Sequence, residues 1–311
     1  MSKIAFLFPG QGSQSVGMLA ELSRQSDLVQ ATFDEASRVV GQDLWKLSQQ
    51  GPAEELDRTE LTQPAMLAAG VACWRVWKDR GGNDPDWMAG HSLGEYSALV
   101  AAGSLEFSQA VGLVVERARQ MQAATPVGSG AMAAIIGLED QVLEELCARA
   151  AQGQVVSCAN FNAPGQVVVA GDKDAVDRAC ALASEAGARR AITLAVSVPS
   201  HCALMRQAAR NFSQALSGTL FSENSIPVLH NVDALPRSTW ESQRDALEHQ
   251  LWQPVMWVDT IEELAARGVS RFAECGPGRV LAGLNRRIVK SAEIVNLQDL
   301  DTIDQTMKDW N

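Results

Sequence analysis

Apolar residues are laid out along this chain in two textures. Short unbroken runs, Ile4-Ala5-Phe6-Leu7-Phe8 and Trp87-Met88-Ala89, have strand length and no polar face. They predict strands buried on both sides, as in a parallel sheet covered by helices. Residues 15–80 between them carry mostly helical spacing. Pro52 starts a short helix in Gly51-Pro52-Ala53-Glu54-Glu55-Leu56, and Thr62-Gln63-Pro64 precedes a long apolar helix from Ala65 to Lys78. Gly81-Gly82-Asn83-Asp84-Pro85 reads as a loop, and helical spacing resumes from Ser108 to Ala123.

The texture changes over residues 125–197. Ala131–Ile136 and Gln166–Ala170 read as strands, each followed by an amphipathic helix (Glu139 to Ala151, Asp174 to Ala186); Val155–Asn160 and Arg190–Leu194 supply two more strands. The resulting β-α-β-β-α-β order is that of a split βαβ unit. From Val198 the chain returns to the first texture. Ile226–His230 reads as a strand, Leu247 to Leu251 as helix, Arg271–Cys275 as a strand running into Gly276-Pro277-Gly278, and the final residues as a polar tail. The division predicted is one large unit from residues 1–124 and 198–311, with 125–197 inserted as a smaller one.

Composition narrows the function. At 311 residues, 46% hydrophobic and 20% charged, the chain has the make-up of a globular protein with a sizeable core. No apolar run reaches bilayer length and Met1-Ser2-Lys3 leads straight into a strand without a cleavage pattern, so a cytoplasmic protein with no membrane partner is expected. A net charge of −11 argues against a nucleic-acid partner. The six cysteines form no Cys-x-x-Cys pair and read as free, packed thiols; neither they nor the four histidines show metal-ligand spacing, and no metal is expected.

Chemistry concentrates in Gly90-His91-Ser92-Leu93-Gly94-Glu95. A Ser between two glycines, after a short strand and before a helix, fits the sharp turn that presents a nucleophilic hydroxyl, with free N–H groups of the helix start beside it. Ser92 is the candidate nucleophile. Pro9-Gly10-Gln11-Gly12-Ser13-Gln14 lacks the spacing of a dinucleotide loop or a P-loop; it can supply a second N–H to an oxyanion, or serve as a tight turn.

These segments, with Arg117, Val198-Pro199-Ser200-His201 and Gly276-Pro277-Gly278, follow one another as in the malonyl-CoA:acyl-carrier-protein transacylase family, which the chain resembles over essentially its whole length. The resemblance implies an α/β fold: an α/β-hydrolase-like core with an inserted ferredoxin-like small domain. It implies Ser92 as nucleophile, His201 as its base, the main-chain carbonyl of Gln250 orienting that histidine, and the N–H groups of Gln11 and Leu93 as the oxyanion hole. Arg117 would hold the malonyl carboxylate, because a guanidinium offers two parallel donors to it. Malonyl-CoA is then the substrate, acyl carrier protein the partner, and no tightly bound cofactor is implied. Arg189-Arg190, Arg286-Arg287 and Lys290 are candidates for carrier docking or ordinary solubilising charge; Asn160, Asn162 and Gln166 for cleft lining or a polar turn; Arg119 and Cys202 read as a solvated charge and a packed thiol. Three alternatives stay open: a serine esterase or thioesterase on the same turn, a non-catalytic carrier-binding module, and a malonyl transferase serving a malonate decarboxylase or polyketide carrier.

Overall fold

The computed structural model describes residues 2–196 and 198–310. The chain begins with β1 (Lys3–Phe8), five helices α1 (Ala20–Gln25), α2 (Asp27–Val40), α3 (Leu44–Gln50), α4 (Ala53–Leu56) and α5 (Thr59–Asp79), then β2 (Trp87–Gly90), α6 (Gly94–Ala101) and α7 (Phe107–Ala123). Next come β3 (Gly130–Ile136), α8 (Asp140–Ala151), β4 (Val156–Ala163), β5 (Gln166–Asp172), α9 (Lys173–Glu185) and β6 (Arg190–Thr193). The remainder holds α10 (Arg206–Gly218), β7 (Val228–Leu229), α11 (Trp240–Gln250), α12 (Trp257–Ala266), β8 (Val269–Glu274), α13 (Val280–Ile288), β9 (Glu293–Asn296) and α14 (Leu300–Trp310).

Two sheets result. One is parallel, in the order β7-β2-β1-β8-β9; the other is antiparallel, in the order β4-β5-β3-β6. The apolar run of β1 explains the first. Phe6 and Phe8 join a cluster with Trp77, Tyr96 and Val111 on one face, whereas Ala5 and Leu7 join Trp257, Ile261 and Phe272 on the other. Successive side chains point to opposite faces, so a strand covered on both sides needs every position apolar.

The antiparallel sheet has a different arithmetic. Ala131, Ala133 and Ile135 of β3 pack with Val167 and Val169 against α8 and α9, while Met132, Val168 and Ala170 face the other way with Cys202. That second face looks toward the parallel sheet. β4 carries two register shifts, and its Phe161 N–H donates to Val255 O at 3.0 Å while Val255 N–H donates to Ala159 O at 2.9 Å. Irregular strands of this kind re-aim side chains, and this one is tied to the segment between α11 and α12 at the place where Asn160 and Asn162 emerge.

Several expectations need correction. The long helix α5 starts at Thr59 and takes Pro64 inside it; the Pro falls in the second turn, where it forfeits one bond, and Thr62 Oγ1 donates to Arg58 O at 3.0 Å nearby. The strand expected over Ile226–His230 shrinks to Val228–Leu229, since beyond Leu229 the polar side chains of His230 and Asn231 turn into the interior. The helix expected over Leu247–Leu251 begins at Trp240, where Thr239 caps it. The polar tail is α14, an amphipathic helix that buries Ile303, Thr306 and Trp310; their three-to-four-residue spacing was hidden among charges. Ser197, the last residue of the expected inserted unit, lies outside the described residues. No described helix is long and apolar enough to cross a membrane.

Candidate active site

β2 delivers the chain to Gly90 at the carboxyl edge of the parallel sheet, and α6 departs at Gly94. The turn between them is tight enough to explain both glycines. A Cβ on Gly90 would sit 2.0 Å from the Gly94 carbonyl, and one on Gly94 would sit 2.0 Å from Phe8 O. Ser92 at the apex has φ of 50°, a left-handed conformation that a residue with a side chain adopts only under constraint. Asn231 supplies that constraint: its Oδ1 accepts from Ser92 N–H at 2.6 Å and its Nδ2 donates to Gly90 O at 2.6 Å.

His201 arrives from 109 residues away. Its Nε2 lies 2.7 Å from Ser92 Oγ, and its Nδ1 lies 2.7 Å from Gln250 O. A carbonyl can only accept, so Nδ1 carries the proton and Nε2 presents a lone pair to the serine. His201 also has a left-handed φ, 61°, and its N–H donates to Leu251 O at 3.0 Å; the loop and the last turn of α11 thus fix the ring from two sides. Burial first, and then the positive charge of Arg117, hold the imidazole pKa down to about 3. The ring is therefore neutral across the neutral range.

Arg117 projects from α7 into the same space and is 1% exposed. Its Nη1 donates to Gln63 Oε1 at 2.9 Å, and its Nη2 donates to Ser92 Oγ at 3.1 Å and to Gln250 Oε1 at 3.0 Å. Nε has no hydrogen-bond partner among the described residues, and none of their carboxylates lies within ion-pairing distance of the guanidinium. Neutral acceptors alone hold a buried cation, an arrangement that leaves room for an anionic ligand.

Gln11 and Leu93 line the cleft beside Ser92, as do Asn160 and Asn162. Asn162 Oδ1 accepts from His91 Nε2 at 2.8 Å, and burial lowers the His91 pKa. Met132, Val168, Leu194 and Val198 form the apolar wall opposite. Gln166 is turned away, bonded to Arg287. Arg189, Arg190, Arg286, Arg287 and Lys290 are exposed. Arg119 stands at the surface, paired with Glu116, and Cys202 is buried, its thiol pushed up to about 12. Sequence reasoning assigned no part to Gln63, Glu95, His230 or Asn231, all of which are buried here. A His-Asn pair at the carboxyl end of a parallel strand was the available signal, since that edge is where such sheets build their sites.

The acyl transferase domain family profile matches residues 5–307. The chain belongs to the acyl transferase family. This acyl transferase is 55% identical, over 93% of its length and 94% of the relative's, to the malonyl CoA-acyl carrier protein transacylase of Escherichia coli K12. It resembles the acyl carrier protein S-malonyltransferase structure from Vibrio cholerae at 54% identity and a TM-score of 0.95, covering 98% of this chain and 100% of that one. A malonyl-transacylase solved in complex with its type II polyketide-synthase acyl carrier protein is also similar, at 51% identity and a TM-score of 0.98, covering 99% and 100%. The mixed α/β fold of the acyl transferase, one parallel sheet and one antiparallel, agrees with the fold class expected.

Proposed function

We propose that this chain transfers the malonyl group from malonyl-CoA to the phosphopantetheine thiol of an acyl carrier protein through a malonyl ester on Ser92. The observation that carries the reading is Arg117: a buried cation with no carboxylate partner among the described residues, 3.1 Å from a serine hydroxyl that is itself 2.7 Å from a neutral histidine. A neutral acyl group has no use for such a cation, whereas malonyl brings the missing carboxylate.

The chemistry follows from the atoms. His201 Nε2 accepts the Ser92 proton as Oγ attacks the thioester carbon, and the N–H groups of Gln11 and Leu93 take the oxyanion. Collapse breaks the carbon–sulfur bond, and the imidazolium returns its proton to the departing CoA thiolate. In the second half the carrier thiol gives its proton to His201, attacks the ester and regenerates Ser92. Gln250 O keeps the His201 tautomer fixed throughout; a neutral acceptor stabilises the imidazolium less than a carboxylate would. No tightly bound cofactor enters these steps, and we assign the reaction to the cytoplasm. We also read residues 1–124 and 198–311 as the catalytic unit and 125–197 as an inserted one; separate apolar clusters support that division.

The relative that was solved with a polyketide carrier supports a second reading, the same transfer to a carrier of that type. Intact-mass measurement after exposure to malonyl-CoA tests the chemistry. The wild type gains one malonyl group and passes it to holo carrier protein; Ser92→Ala gains none. Steady release of malonate without transfer would instead make the chain a hydrolase. Parallel assays with fatty-acid and polyketide carriers decide between the two acceptors.

A further inference from the structure

The site stands on a carboxylate that the mechanism above does not use. Glu95, in the first turn of α6, is fully buried. Its Oε1 accepts from His230 Nδ1 at 2.7 Å, and its Oε2 accepts from Asn231 N–H at 3.0 Å and from Gln250 Nε2 at 2.9 Å. The Gln250 amide is the junction. Its Nε2 donates also to Ser92 O at 3.0 Å, and its Oε1 accepts from Arg117 Nη2 at 3.0 Å.

The chemistry of the partners leaves the amide one orientation. A carboxylate only accepts, so the NH2 end must face Glu95; a guanidinium only donates, so the oxygen must face Arg117. Reversing the amide would set oxygen against oxygen on one side and donor against donor on the other. Glu95 therefore dictates which end of Gln250 meets Arg117. It also places a negative charge one amide group away from a cation that touches no carboxylate of the described residues, in surroundings that screen poorly. Asn231 extends the same control to the turn, because its main-chain N–H is held by Glu95 while its side chain holds Ser92 and Gly90.

We propose that Glu95, fixed by His230, is a positioning residue that orients the Gln250 amide and serves as the buried counter-charge of Arg117, setting how tightly the cation grips a substrate carboxylate. This deepens the malonyl-transfer reading and rests on it. Two effects of opposite sign follow. Removing the charge leaves Arg117 more electropositive, which strengthens binding of an anion. It also frees the Gln250 amide to reverse, which misplaces Arg117 and Ser92 and slows acylation.

Glu95→Gln is the informative variant. Its amide oxygen keeps the bond from Asn231 but holds the Gln250 amide more weakly than the carboxylate does, and its NH2 end donates to His230, which changes tautomer. Competitive inhibition by free malonate is expected to tighten threefold or more, the rate of Ser92 acylation in single turnovers to fall at least tenfold, and the inhibition constant of acetyl-CoA to stay within twofold. In an Arg117→Ala background the gain in malonate affinity vanishes. A role in folding alone would weaken both ligands together. Unchanged or weaker malonate inhibition, or acylation within twofold of wild type, overturns the proposal while leaving the function intact. Absence of a malonyl adduct on the wild type overturns both. If Glu95→Gln does not fold, Glu95→Asp decides: acylation slowed at least fivefold with malonate inhibition within twofold supports the proposal, and wild-type behaviour overturns it.

Discussion

The two sheets meet at one cleft and bring opposite things to it. The carboxyl edge of the parallel sheet supplies strained backbone and buried polarity: Ser92 and His201 with positive φ, and Arg117, Glu95, His230, Asn231 and Gln250 all buried. The antiparallel sheet supplies mostly apolar surface, with Met132 and Val168 on the cleft face and a separate core behind them, and only its irregular strand β4 brings polar groups, Asn160 and Asn162. At the cleft, charge and left-handed backbone are confined to the side of the parallel sheet, and the other side shapes the space and adds the neutral amides of Asn160 and Asn162. An active site needs both, but the damage done by a substitution should depend strongly on the side it strikes.

The largest effect expected tests the reactive side. His201→Ala removes the base in contact with Ser92, and kcat should fall by about 10³-fold in a protein that still folds. A loss under tenfold, measured by single-turnover acylation, would show that the strained edge is not where the chemistry lies.

Arg117→Ala comes next. Preference for malonyl-CoA over acetyl-CoA should drop by about 10²-fold or more, as adduct masses from mixed thioesters will report. The same variant carries a pH signature. The Arg117 charge adds to burial in lowering the His201 pKa, so its removal makes the ring easier to protonate, and the acid limb of kcat/KM should move upward. In the wild type the malonyl carboxylate neutralises that charge, so the limb of kcat, which reports the bound complex, should lie above that of kcat/KM, which reports the free enzyme. Limbs that coincide would contradict the pairing.

Leu143→Ala probes the other side. Leu143 of α8 is 1% exposed in the core behind the antiparallel sheet, and its truncation should destabilise by about 2–5 kcal/mol in urea unfolding while kcat changes less than threefold. A large change in kcat would mean that this sheet does more than shape the cleft. Arg119→Ala, two residues from Arg117 but on the solvent side of α7, should leave kcat/KM and Tm unaltered, because an exposed ion pair with Glu116 contributes little.

The legibility of the molecule divides along the same line. The β-α-β-β-α-β order of residues 125–197 and the unbroken apolar run of β1 named their sheets correctly, because burial acts on each residue through its own element. Gly90 disclosed the turn for a local reason too: the atoms that forbid a side chain there belong to Gly94 and Glu95, whereas those that forbid one at Gly94 belong to Phe8 and Pro9, at the end of the neighbouring strand. Elements without a run to announce them went unread. α12, α13 and β9 fall in mixed sequence, and α14 looked like a tail because its apolar positions are sparse.

By itself the sequence determined the two kinds of sheet, the bend that presents Ser92, and, through a resemblance carried by several motifs, a family and a set of residues. Tertiary structure alone decided that the Gln250 amide would bridge Ser92 and Glu95 across 158 and 155 residues, that Arg117 would lie buried out of contact with any described carboxylate, and that Asn231 would brace the turn from 139 residues away. The reason is one of range. Periodicity and steric exclusion act between near neighbours and leave a pattern in the letters, whereas a hydrogen bond between distant polar side chains leaves none until the chain has closed around it.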